Sequence, residues 1–209
     1  MPFRFLLLAV IILTSSCIKS QNTNAIKKLI GGPCEGCEAI YEYGDGFLNS
    51  VDTISGFTSS NQKIKITGTI YNNDGKTPAK DVILYAYHTD ERGIYPKRSS
   101  SKGWEKRHGF LRGWVKTNAS GNYTFYTLKP ASYPNTSIPQ HIHITVKEPD
   151  KNEYYIADIY FDSDPNLTES IRNKKNHRGG NGIVELHKKG QLLEAKRDII
   201  LGLHIPNYD

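Results

Sequence analysis

The sequence predicts an all-β protein, a two-sheet β-sandwich. Three observations point there: short runs from Lys63 onward alternate polar with β-branched or aromatic residues, strong turn formers separate the runs, and no sustained helical period follows the N-terminal apolar stretch. The runs are Lys63 to Tyr71, Val82 to His88, Trp114 to Thr117, Tyr123 to Leu128, His141 to Val146, Tyr154 to Tyr160 and Ile199 to His204. Each has the period of two expected of a strand with one buried face. Asn73-Asp74-Gly75, Ser120-Gly121-Asn122 and Asp164-Pro165-Asn166 read as turns between them, and Gly190 to Arg197 reads as a short turn of helix. Many strands with few helices build a sandwich, and 209 residues fill one domain.

The first residues follow a different pattern. Arg4 precedes the apolar run Phe5 to Leu13, which leads into Thr14-Ser15-Ser16-Cys17. That is the layout of a cleavable export signal over residues 1–16, and the run is too short to cross a bilayer, which takes about 20 helical residues. Small residues running into Cys17 resemble a bacterial lipoprotein signal, so the expectation is an exported protein held at the cell envelope by a lipid on Cys17, with plain secretion as the alternative. Residues 17–60, rich in polar residues and glycines at their start, are expected to form a tether, and residues 61–209 the folded domain. Within the tether, Cys34 and Cys37 form a Cys-x-x-Cys pair, which in an exported chain reads as a short-loop disulfide.

The chain carries a formal charge of +6. Much of the excess lies between Arg172 and Arg197, including Lys174, Lys175, Arg178, Lys188 and Lys189. With no aromatic interleaving, this reads as a solvated face, and no nucleic-acid partner is expected.

The segment Tyr133 to Val146 carries the chemistry. On a strand, His141, His143 and Thr145 share one face while Ile142, Ile144 and Val146 share the other. The isoleucine face supplies core, and the two imidazoles point into one space. A His-x-His pair alone is as compatible with exposed or hydrogen-bonded histidines as with metal ligands. Two neighbours add weight to the metal: Tyr133, set by Pro134 and a short loop back to the histidine strand, and Tyr95, which ends the turn Arg92-Gly93-Ile94. Hard anionic phenolates together with imidazoles suit a trivalent, oxygen-loving cation, and ferric iron is the natural candidate.

Those residues belong to a longer pattern. Thr67-Gly68-Thr69-Ile70, Asp74-Gly75-Lys76 with Pro78, Gly93-Ile94-Tyr95, Arg112-Gly113-Trp114, Gly121 to Phe125, Thr127 to Pro130, Tyr133-Pro134, His141-Ile142-His143 and Tyr160 to Pro165 follow in order. Over roughly Lys63 to His204 the chain resembles the intradiol ring-cleavage dioxygenases, the protocatechuate 3,4-dioxygenase type most of all. The resemblance implies a sandwich of the transthyretin-like kind and a single Fe(III) bound by Tyr95, Tyr133, His141 and His143. It also implies that Tyr95 is the catalytic ligand displaced by substrate, and that a catechol-type ring is opened between its two hydroxylated carbons with O2. An oligomer is compatible with it. Tyr85, Tyr87, Tyr123 and Tyr126 lie within strands and are expected to pack.

The chain departs from that pattern in two places. Ile138 stands three residues before the first histidine, where enzymes of this type carry an arginine, and Tyr87 stands where a pocket tryptophan is common. Losing a preorganised cation costs about 10²-fold to 10³-fold in rate at comparable sites. Arg112, Lys147 and Arg92 are the cations that could restore the charge. The competing reading is a non-catalytic, surface-anchored iron- or ligand-binding module, and a third is a metal-free adhesion or carbohydrate-binding sandwich.

Overall fold

A computed structural model describes residues 29–174 and 176–209. The expected signal over residues 1–16 and the expected lipid site Cys17 lie outside the described residues. Among the described residues twelve strands are formed: β1 (Val51–Thr53), β2 (Lys63–Tyr71), β3 (Ile83–Tyr87), β4 (Arg112–Lys116), β5 (Asn122–Leu128), β6 (His141–Lys147), β7 (Tyr154–Tyr155), β8 (Ile159–Phe161), β9 (Ile183–Val184), β10 (His187–Lys189), β11 (Leu192–Lys196) and β12 (Ile199–Ile200). Two short helices, α1 (Glu105–His108) and α2 (Glu169–Asn173), and a 3-10 helix, Cys37–Tyr41, complete the described elements. No helix among the described residues is long and apolar enough to cross a membrane.

The strands form two sheets. One runs β1-β5-β2-β11-β10 with β12 also on β2, and the other runs β4-β3-β6-β8-β9 with β7 also on β6. Alternation assigns their faces. In β2, Ile64, Ile66, Gly68 and Ile70 are buried while the residues alternating with them are half-buried, and antiparallel pairing sets Ile66 opposite Phe125 of β5. From the other sheet, Leu84 and Ala86 of β3 and Ile142, Ile144 and Val146 of β6 join the same core. The sandwich is closed by this apolar burial between sheets, each fully buried Ile or Leu contributing about 1.5–3 kcal/mol.

Four expectations need correction. Gly190 to Arg197 forms no helix: Gly190 and Gln191 turn β10 into β11, which lies parallel to β2 with Leu193 opposite Ile64 and Ala195 opposite Ile66. Its Leu, Glu, Ala and Lys favour a helix by only about a few tenths of a kcal/mol each, less than strand pairing and burial of Ala195 supply. The run Tyr154 to Tyr160 is two strands, because the chain leaves β6 at Ala157, whose N–H donates to the carbonyl of Arg178 instead. The run Ile199 to His204 keeps strand geometry only at β12 and then turns. The basic stretch is not wholly solvated, since Arg197 is buried with its guanidinium donating to the carbonyls of Asp198 and Gly180, and Arg178 stacks over Tyr155.

The described part of the expected tether is also folded onto the domain. Ala39 and Ile40 are fully buried and form a second, smaller cluster with Tyr85, bordered by Tyr87, Trp104 and Trp114. Cys34 and Cys37 are disulfide-bonded, and β1 pairs in parallel with β5. The apolar residues responsible are few and their spacing is 3-10 rather than strand-like, so no periodic signal announces them. This segment covers the outer face of the β4-β3-β6 sheet, opposite the main core.

One buried polar group ties the two sheets together. His88 is fully buried, with Nδ1 2.8 Å from the carbonyl of Thr89 and Nε2 2.7 Å from Thr127 Oγ1. The carbonyl can only accept, so Nδ1 carries the proton and Nε2 accepts from the threonine hydroxyl. Burial lowers the pKa of this ring to about 4, outweighing the hydrogen bond to Thr89. In the unfolded chain an unperturbed imidazole binds its proton near pH 6.5, so between about 6.5 and 4 the unfolded state holds more protons and stability rises with pH. Acidifying from pH 7 to 4 is therefore expected to remove about 3 kcal/mol through this residue. Urea midpoints measured across that range test it: the slope should flatten in a His88→Asn variant, and an unchanged slope would assign the acid sensitivity elsewhere.

Candidate metal centre

Strand β6 sets out the site. Its inner residues Ile142 and Ile144 are in the main core, so His141 and His143 emerge on the outer face. Pairing fixes their neighbours: His143 lies opposite Tyr87 of β3, and His141 opposite Tyr160 of β8. The ring of Tyr87 stacks on His143 at 4.5 Å between centroids.

Two loops bring in the tyrosines. In the first, the carboxylate of Asp90 accepts from the backbone N–H groups of Arg92 and Ile94, forming the turn that ends at Tyr95. In the second, Tyr133 and the left-handed Asn135 reverse the chain toward β6. The loops are locked together. Gly93 adopts φ +79°, and a Cβ there would stand 1.9 Å from the carbonyl oxygen of Ser132, so only glycine allows the approach. Thr89 Oγ1 donates to the carbonyl of Ala131, whose N–H donates to that of Asp90.

The four residues singled out from the sequence converge. Tyr95 Oη lies 2.6 Å from Tyr133 Oη and 3.0 Å from His143 Nε2. Tyr133 Oη is 3.3 Å from His141 Nε2 and 3.4 Å from His143 Nε2, and the two Nε2 atoms are 3.1 Å apart. Donor atoms placed about 2 Å from one cation stand roughly 2.8–3.3 Å apart, and the 2.6–3.4 Å spacing here is close enough to that for the four atoms to serve one ion with small adjustments. Two phenols and two imidazoles, with no thiol, also fit a hard trivalent ion by chemistry.

The far edges of the imidazoles are held. His141 Nδ1 donates to the carbonyl of Pro139 at 2.6 Å, and His143 Nδ1 to Asp158 Oδ1 at 3.1 Å, leaving both Nε2 lone pairs aimed at the centre. Tyr160 donates to the other oxygen of Asp158 at 3.0 Å. His141, His143 and Asp158 are close enough to be read as a three-residue metal group. The carboxylate nevertheless meets the Nδ1 edge of His143, away from the Nε2 atoms, so we assign it as the orienting partner. The sequence pattern marks neither Asp158 nor Tyr160 as a site residue. Asp158 reaches His143 because the chain breaks between β7 and β8, a break that alternation does not reveal.

Electrostatics favour neutral phenols until a cation arrives. Burial drives the pKa of Tyr95 upward, with its hydrogen bond to Tyr133 adding to the shift, and burial raises Tyr133 against the opposing effect of that bond. Asp158 is the reverse case: burial opposes its charge, yet His143, His141 and the Tyr160 hydroxyl together hold it below the usual carboxylate range.

The remaining candidates fall elsewhere. Arg112 is paired with Glu42 at 2.5 Å and Glu105 at 3.5 Å, Arg92 with Asp90 at 2.9 Å, and the Lys147 amine with the carbonyls of Glu148 and Pro149. Ile138 is 45% exposed. Tyr85 and Tyr123 are core residues and Tyr126 packs on Phe57, whereas Tyr87 also lines a cavity of about 250 Å³ with Tyr95, Tyr133 and His143.

This arrangement has relatives. The chain is 28% identical over 112 residues to the protocatechuate 3,4-dioxygenase beta chain of Burkholderia cepacia, an alignment covering 51% of this chain and 47% of that one. It thus spans about half the length of that curated relative. Among solved structures, the dioxygenase domain of a dioxygenase carbohydrate-binding protein fusion from Streptomyces sp. SirexAA-E superposes with a TM-score of 0.57 at 20% identity, covering 76% of this chain and 90% of that one. Catechol 1,2-dioxygenase from Pseudomonas arvilla C-1 superposes with a TM-score of 0.56 at 18% identity, covering 83% and 60%. The sandwich is thus that of the intradiol dioxygenases, and with the Dioxygenase family profile matching residues 49–188, the chain belongs to that family.

Proposed function

We propose that the chain is a non-haem ferric dioxygenase that opens catechol-type rings between the two hydroxylated carbons, taking both oxygen atoms from O2. The observation that carries the reading is the convergence of Tyr95, Tyr133, His141 and His143 within 3.4 Å neighbour distances beside a cavity. The chemistry a ferric ion supplies there is Lewis acidity toward a diol and an acceptor for electron density from its ring.

The protein's own residues divide the remaining work. Tyr133, His141 and His143 form the fixed part of the ligand set, His143 oriented by Asp158 and His141 by the Pro139 carbonyl. Tyr95 would be the exchangeable member: its partial burial and its hydrogen bond to Tyr133 favour the neutral phenol, so its Oη would accept one proton of an incoming diol. Tyr87, stacked on His143, offers an aromatic wall against which a substrate ring can lie flat. The Cys34–Cys37 disulfide fits an oxidising compartment, which supports an exported protein, anchored through Cys17 or secreted.

Four measurements test this. Ferric reconstitution should give one iron per chain and a red-to-purple tyrosinate charge-transfer band, and Tyr133→Phe should abolish most of that band. Because both phenols must lose protons, iron affinity should rise as pH is raised. Asp158→Asn should weaken iron binding about 10-fold to 100-fold in a chelator competition, with the fold intact by circular dichroism. The iron-loaded protein should then consume oxygen with a member of a catechol panel; coloured protein that consumes none with any of them would instead make it an iron-binding module.

A further inference from the structure

The Cys34–Cys37 disulfide adds little to the fold and lies beside the metal centre. The segment on either side of it is held independently. Gly31 N–H donates to the carbonyl of Pro206 at 2.7 Å, Ala39 and Ile40 are fully buried, Trp114 Nε1–H donates to the carbonyl of Ala39 at 3.2 Å, and Glu42 pairs with Arg112 at 2.5 Å. The bond closes only the short loop from Cys34 to Cys37, and short loops constrain an unfolded chain least. What it borders is the site: Cys34 and Cys37 line a cavity of about 280 Å³ with Tyr87, Thr145, His143 and Asp158, the last two being the imidazole and the carboxylate that orients it.

The two cysteines are not equivalent. Cys34 is half-buried, whereas Cys37 is 2% exposed and its Sγ lies 3.8 Å from the hydroxyl of Thr145, itself buried. A thiolate displaces one sulfur of a disulfide from the other, so the half-buried Cys34 is the one met and attacked, and the buried Cys37 is the one that leaves. The leaving sulfur carries an electron pair into a buried place, where charge is costly unless a donor meets it. A disulfide sulfur has no proton to give, so Thr145 is the donor in this contact and is already in position for the thiolate. Pro33 and Glu35 are exposed and add no core packing to the loop, so breaking the bond returns torsional freedom to this stretch.

We propose that this pair is a thiol-exchange site that takes a small thiol of the glutathione kind at Cys34 Sγ, and that its opening weakens the hold of the site on its metal. In the first step the incoming thiolate bonds to Cys34 Sγ, the Cys34–Cys37 bond breaks, and its electron pair goes to Cys37 Sγ, which takes up a proton. A second thiol attacks the incoming sulfur and releases Cys34 as a thiol. The protein disulfide thereby gains two electrons and two protons, and two small thiols are oxidised to one disulfide. The consequence for the metal follows from the shared cavity: a loop freed at Pro33 to Glu35 opens the His143–Asp158 hydrogen bond to water, and an orienting bond that competes with water holds the ring less firmly. The exchange step is independent of the ferric dioxygenase reading; only this consequence rests on it.

The exchange is tested on iron-free full-length protein treated with reduced glutathione, quenched with N-ethylmaleimide and mapped by peptide mass. Glutathione should be found on Cys34 and maleimide on Cys37, and Thr145→Val should slow the first step about threefold through the loss of one hydrogen bond. Glutathione on Cys37, a native disulfide that stays closed where the denatured one opens, or an unchanged rate in Thr145→Val overturns the proposal. The consequence is read without a reductant, which would itself act on ferric iron. Release of ferric iron to a chelator should be about tenfold faster from the Cys34→Ser/Cys37→Ser variant than from the wild type, with the fold verified by circular dichroism. Protein that has been reduced, blocked with iodoacetamide and freed of reductant gives the same comparison where the variant does not fold. Equal release from the open and closed forms also overturns the proposal. A protein that takes up no ferric iron in any form, yet carries glutathione on Cys34, ends the dioxygenase reading and leaves the exchange site standing.

Discussion

Strand β6 carries side chains of opposite chemistry on its two faces, and the rest of the molecule depends on keeping them apart. Ile142, Ile144 and Val146 fill the core between the sheets while His141 and His143 stand outside it. A slip of one residue against β3 would bury the imidazoles and expose the isoleucines, so core burial and site geometry enforce the same register. The pairing that results also delivers Tyr87 to His143 and Tyr160 to His141. Hydrophobic burial thereby does much of the positioning, leaving side-chain hydrogen bonds to fix the rings' orientation.

The outer face so created would be exposed without the N-terminal segment. Ala39 and Ile40 close it over Tyr85, and the disulfide loop sets Glu35 on the lining of the same cavity as Tyr95 and Tyr133. Stability and access to the site are therefore coupled: the residues that cover the apolar part of the face are continuous with those that border the chemistry.

Much of this is readable from the sequence where period and chemistry coincide. β2 has the limits alternation predicts, His141 and His143 stand out as a His-x-His pair on one strand face, and the family resemblance picks Tyr95 and Tyr133 from among thirteen tyrosines. Asp158 does not stand out. It occupies a break between strands, and its role depends on which imidazole edge it meets, a relation set by tertiary structure. The 3-10 helix over Cys37–Tyr41 is too short for a period, and β11 is made of helix-forming residues that strand pairing overrides. Tyr87 and His108 meet face to face because α1 folds back over β3, a tertiary relation with no sequence period.

The electrostatics of the proposed ligand set define what a cation would have to overcome there. Two half-buried phenols with raised pKa values resist ionisation, so a weakly polarising ion would leave them protonated and gain little from the site. A trivalent ion would overcome that resistance, with two phenolates cancelling most of its charge. The hydrogen bond between the phenols raises Tyr95 and lowers Tyr133, so Tyr95 would be the one more readily returned to the neutral phenol, and it borders the cavity that Tyr87 also lines.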